Sequence, residues 1–76
     1  MSDYYSIGFE YISDTAAHTG RFRKLYAVAD AVISTATIEN ASGNAFSSVP
    51  LGKGDEIEGI FTSVTLASGK VVAYKL

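Results

Sequence analysis

The chain contains no cysteine and no tryptophan, and only one histidine, one proline and one methionine in 76 residues. Without cysteine there can be no disulfides, thiolate zinc sites, cysteine nucleophiles or dithiol redox motifs. The lone histidine, His18, cannot build a metal site unaided, and no cofactor is expected. Charge is sparse as well: Asp, Glu, Lys and Arg make up 18% of the residues and the net charge is −2. The basic residues are scattered, whereas a nucleic-acid surface needs a basic stripe, so no nucleic-acid partner is expected. No apolar run approaches the roughly eighteen residues of a membrane-spanning helix. Met1-Ser2-Asp3-Tyr4-Tyr5 lacks the basic-then-apolar order of a secretory signal. The expectation is a soluble chain, made in a cytoplasm, with no membrane partner.

What is present is apolar and aromatic. Hydrophobic residues make up 47%, with five tyrosines and four phenylalanines, too much for a disordered segment. The length allows one domain, residues 1–76, and no second core. A chain this short buries only about 60% of the surface it exposes when unfolded. Small domains offset that with disulfides, metals or association. The first two are excluded here, so a homo-oligomer is expected.

The pattern is β throughout. From Tyr4 to Ile12 the residues alternate, with Tyr5, Ile7, Phe9 and Tyr11 on one side and Ser6, Gly8 and Glu10 on the other, as in a half-buried strand. Residues 13–20 are small and polar and read as a loop closed by Gly20. Arg21 to Val28 reads as a strand with Phe22, Tyr26 and Val28 on one side; Arg23-Lys24-Leu25 breaks the alternation, and a bulge there would account for it. Tyr26, Ala29, Asp30 and Ile33 also fit helical spacing. The β-branched run Ile33, Thr35, Thr37 and Ile38 favours a turn near Ala29-Asp30 and a strand from Val32 to Ile38. Residues 40–44 form a turn cluster. Ala45 to Val49 is a short strand that Pro50 is expected to stop.

The last third reads as a hairpin joined through Ser68-Gly69. Ile60, Val64 and Leu66 point one way; Ile57 and Phe61 point the other unless a bulge at Gly59 rephases them. Val72, Tyr74 and Leu76 alternate with Val71 and Ala73. Both faces of the hairpin read as buried, under a neighbouring subunit or the second layer of a small sandwich. The fold expected is all-β, a sandwich or barrel of about six mostly antiparallel strands ending in a C-terminal hairpin.

Chemistry-bearing motifs are weak. Gly52-Lys53-Gly54-Asp55 lacks the length and following helix of a phosphate loop. Asp55, Glu56 and Glu58 lack the spacing of a calcium loop and read as a charged strand. His18 has Asp14 four residues upstream, but no nucleophile context accompanies them, and no enzymatic activity is expected. The tyrosines suit cores and subunit contacts, or a groove for glycan or peptide. Tyr5, Phe9, Tyr11, Phe61, Val72 and Tyr74 are the candidate residues of an oligomer or capsid interface.

The run from Leu51 to Tyr74 carries a glycine turn, Gly59-Ile60-Phe61-Thr62, and Leu66-Ala67-Ser68-Gly69-Lys70-Val71-Val72-Ala73-Tyr74. It resembles the C-terminal part of small virion proteins of tailed bacteriophages. Gly20-Arg21-Phe22-Arg23-Lys24-Leu25-Tyr26 and Asp30-Ala31-Val32-Ile33 fit the same pattern loosely, so the likeness spans about residues 20–76. It implies a non-enzymatic capsid decoration or cement protein, a homotrimer bound to the major capsid protein on the virion surface. A tail or neck component would look similar. It brings no catalytic or ligand residues.

Overall fold

The computed structural model describes residues 8–76. Tyr5 and the beginning of the expected N-terminal strand lie outside the described residues. Six strands follow in chain order: β1 (Phe9–Ile12), β2 (His18–Ala27), β3 (Ala31–Ile38), β4 (Ser47–Leu51), β5 (Glu56–Ser68) and β6 (Val71–Lys75). They form one sheet in the order β1-β6-β2-β5-β3-β4, with every neighbouring pair antiparallel. The all-β expectation holds, but the expected C-terminal hairpin is not formed: β5 and β6 are joined through residues 69–70 yet do not pair, because β2 lies between them in the sheet and the bent β5 hands its end to β3.

A single sheet without a covering helix can bury an apolar face only by curling over it. Every strand sends residues into one core: Ile12 from β1; Phe22, Leu25 and Ala27 from β2; Ala31 and Ile33 from β3; Leu51 from β4; Phe61, Val64 and Leu66 from β5; Val71 and Ala73 from β6. The two edge strands therefore reach the same interior. β2 shows how the sheet rolls. Glu10 stands opposite Ala73, which stands opposite Leu25. In a straight strand His18 would lie about 23 Å from Leu25, yet the His18 ring touches the Glu10 carboxylate. The first half of β2 must bend back across the concave side. It does so where its pairing with β5 slips, between Thr19 and Phe22 and again between Phe22 and Lys24.

That second slip is the irregularity expected around Arg23. It also corrects the phase: Phe22, Leu25 and Ala27 enter the core, whereas Tyr26 turns outward. β5 is irregular at two places: against β2 its pairing slips across Gly59 and Ile60, where Glu58 and Phe61 stand opposite Lys24 and Phe22. Its pairing with β3 slips between Phe61 and Ser63, so Phe61 joins Val64 and Leu66 inside and Ile60 is left outside. In β1 it is Ile12 that is buried, while Phe9 and Tyr11 face solvent. The helical alternative over residues 27–33 is not adopted; residues 28–30 turn and β3 begins at Ala31. Pro50 does not stop β4. It lies within the strand opposite Val32, which an edge strand tolerates because a missing N–H on the open side breaks no ladder bond.

Three turns meet at one end of the sheet. The Val28 N–H donates to the Lys70 carbonyl at 3.2 Å, and the Gly54 N–H to the Ala27 carbonyl at 2.7 Å. The Lys53 N–H donates to Asp30 Oδ1 at 2.9 Å. Gly69 is the tightest point, because a Cβ there would sit 2.2 Å from the Asp30 carbonyl oxygen.

Candidate interaction face and the histidine clasp

Residues directly opposite each other in an antiparallel ladder share a face of the sheet. Phe9 pairs with Tyr74, Tyr74 with Lys24, and Lys24 with Glu58. The next outward row is Tyr11, Val72, Tyr26 and Glu56. The convex face is thus aromatic at the β1–β6 edge and charged towards β5. Phe9 and Tyr11 are 55% and 51% exposed. The two rings stand side by side at the edge of the sheet, next to Val72 and Tyr74.

Tyr74 organises this face. The Phe9 ring meets it edge-on, with centroids 6.0 Å apart and planes at 65°. The Arg23 guanidinium and the Lys24 ammonium lie 5.4 and 5.5 Å from its centroid, within reach of the ring's negative face. Lys24 also approaches Glu56 at 3.6 Å. Of the candidate contact residues, the structure brings Phe9, Tyr11, Val72 and Tyr74 into one outward patch. Phe61 is elsewhere: it is fully buried opposite Phe22 and presents no surface to a partner. Tyr5 lies outside the described residues. Lys24 and Tyr26 belong to the patch and were missed, since the bulge that turns them outward also hides their phase.

The only histidine stands at the first position of β2 rather than in a loop. His18 Nδ1 lies 2.6 Å from Glu10 Oε2, and Nε2 lies 2.7 Å from Asp14 Oδ1. The Asp14 partner was visible in the sequence. Glu10 was not, although an acidic residue on the same strand side as Ile12 signals an inward carboxylate in need of a partner. The bond to Glu10 first, and that to Asp14 second, raise the His18 pKa against the opposing effect of burial. Asp14 is lowered mainly by His18, with help from the Ala16 N–H. With a carboxylate on each ring nitrogen, the protonated imidazole is a double donor. It has no lone pair to offer as a general base. The arrangement is a clasp that ties β1 and its following loop to the bent half of β2.

The clasp sets a pH dependence. A raised histidine pKa stabilises the fold fully below the unfolded value of about 6.5, and the gain is lost as pH rises through the folded value. A lowered Asp14 pKa stabilises above its ordinary 3.8, and that gain is lost as pH falls through the folded value. The melting temperature is therefore expected to be highest between about pH 4 and 6.5. It should fall by about 2–6 °C on the alkaline side, the scale of a partly exposed ion pair in a small domain. Thermal melts of wild type and His18→Gln across pH 4–9 check this: the variant's curve should lose the alkaline decline, and identical curves would refute the clasp.

Among the described residues, no group of His, Asp and Glu side chains is placed to hold a metal ion. A shallow groove of about 290 Å³ lies beside the end of β3, lined by Ala36, Thr37, Ile38, residues 41–44 and Phe46; it contains no titratable side chain. Comparison of the chain with protein-family models, curated proteins and solved structures finds no match.

Proposed function

We propose that this chain is a non-enzymatic structural protein of a tailed-bacteriophage virion, a homotrimeric capsid decoration or cement protein that bridges coat subunits. The observation that carries the contact role is the exposed pair Phe9 and Tyr11, set beside Val72 and Tyr74 on the edge of a rigid sheet. The virion setting rests on the resemblance of residues 20–76 to small phage structural proteins. The work is mechanical: a compact unit spans neighbouring coat subunits and opposes their separation. A trimer with modest affinity per arm gains avidity, because its second and third contacts are intramolecular.

Cosedimentation tests this reading. Recombinant protein should pellet with empty and with filled expanded heads of its phage alike, since its net charge of −2 offers packaged DNA no electrostatic handle. It should bind isolated coat subunits poorly, because the bridged surface exists only after assembly. Equal binding to unassembled coat would argue against bridging. Absence from heads, with the protein recovered in purified tails, would move the assignment to the tail or neck.

A further inference from the structure

The two edges of the sheet are not equivalent. On β4, Ser48 has a φ of 51° and Pro50 lacks an N–H, two devices that spoil an edge for further pairing. β1 carries neither. The Lys75 N–H donates to the Gly8 carbonyl at 3.0 Å, which fixes the phase of the β1–β6 ladder. By the alternation of antiparallel bonding, Glu10 and Ile12 face their backbone groups towards β6, and Phe9 and Tyr11 turn theirs to the open side. Among the described residues, the backbone groups without a ladder partner on this edge thus belong to the two residues with exposed rings.

Charge narrows the occupant. Glu10 stands at the middle of β1 on the inner face, and it shares the single imidazolium of His18 with Asp14, leaving an excess negative charge beside the edge. A second copy of β1, paired antiparallel so that Phe9 meets Tyr11 in both directions, would set Glu10 opposite Glu10, and like charges directly opposed are destabilising. An incoming strand with a lysine or arginine at that position is favoured instead.

We propose that the β1 edge accepts an extended segment of a different protein by antiparallel strand addition. Its backbone would bond to Phe9 and Tyr11, with apolar residues against their rings and one basic residue opposite Glu10. This rests on the contact role proposed above and specifies how the partner docks.

The test uses the whole protein and a short synthetic peptide that alternates valine and threonine around a central lysine, beside a counterpart with glutamate in its place. In amide-resolved NMR the lysine peptide should shift the Phe9 and Tyr11 N–H signals and slow their exchange, and the glutamate peptide should bind about threefold more weakly. Tyr11→Ala, which keeps the edge N–H, should retain binding. Tyr11→Pro, which removes an N–H that β6 does not use, should keep the wild-type circular-dichroism spectrum and lose binding. No change at Phe9 and Tyr11, undiminished binding by Tyr11→Pro, or responses centred on residues 47–51 would overturn the proposal. So would loss of folding in Tyr11→Pro, since the Tyr11 N–H would then face β6. Light scattering on the same samples reports the oligomer separately, so loss of strand addition and loss of the oligomer are read apart.

Discussion

Gly69→Ala is expected to destabilise the protein by about 3–5 kcal/mol, at the exceptional end of single-substitution effects. Two costs combine. The φ of Gly69 is +89°, a region where a side chain meets its own backbone at a cost of about 1–2 kcal/mol. The new methyl would also lie 2.2 Å from the Asp30 carbonyl oxygen and 2.4 Å from the Ala31 Cα. Neither neighbour is a flexible side chain, so relief requires the β5–β6 turn to lift away from the β2–β3 turn. That movement would break the bond from the Val28 N–H to the Lys70 carbonyl. A domain of this length has a total stability of only about 4–11 kcal/mol, so a fall in melting temperature of about 15 °C or more is expected. Gly54→Ala is the control. Its φ is +92°, but nothing lies within 4 Å of the added Cβ, so it should lose only the backbone cost. Equal melts for the two variants would mean that the three turns do not pack as described.

Phe61→Ala should cost a similar ~3–5 kcal/mol, the range for removing a fully buried aromatic ring. Phe61 and Phe22 are directly opposed across β5 and β2, at 0% and 1% exposure. Both stand at register slips, so each ring fills space that the bent strands cannot close by shifting. Equilibrium denaturation would show a lower midpoint with little change in slope. A shift of only a degree or two in the melt would place Phe61 at the surface and contradict the phase of β5.

The strands themselves were readable because their signals are local. β-branched runs and the Ser68-Gly69 turn locate β3, β5 and β6 to within a residue or two, but not their partners, since β5 and β6 are consecutive without pairing. Which way each side chain points was less readable, since one bulge inverts everything beyond it. The bulge near Arg23 was signalled by a broken alternation, so the inward turn of Leu25 and outward turn of Tyr26 follow once it is admitted. The slip beside Thr62 leaves no such mark, because threonine and serine sit equally well on either face, so the sequence leaves the side of Phe61 open, dependent on whether a bulge at Gly59 rephases it. Pro50 misled for a different reason: its effect depends on whether the strand is central or at an edge, which is a property of the whole sheet. The contact patch was partly legible. Phe9 and Tyr11 share a side by simple alternation, and Val72 and Tyr74 do likewise, but their union in one patch depends on β6 pairing with β1 and β2 rather than with β5, which precedes it in the chain. The Glu10–His18 contact depends on the same long-range curl.

Everything functional in this account depends on the β1–β6 face being a contact surface. Light scattering coupled to size-exclusion chromatography, on wild type and on the double variant Phe9→Asp/Tyr11→Asp, tests that directly. Both substitutions are on exposed side chains, so the circular-dichroism spectrum should be unchanged. The wild type is expected at three times the mass of the 8.0 kDa chain, and the double variant at the mass of a single chain. A wild type that remains a single 8.0 kDa chain at micromolar concentration and above, or a trimer indifferent to both substitutions, would contradict the account.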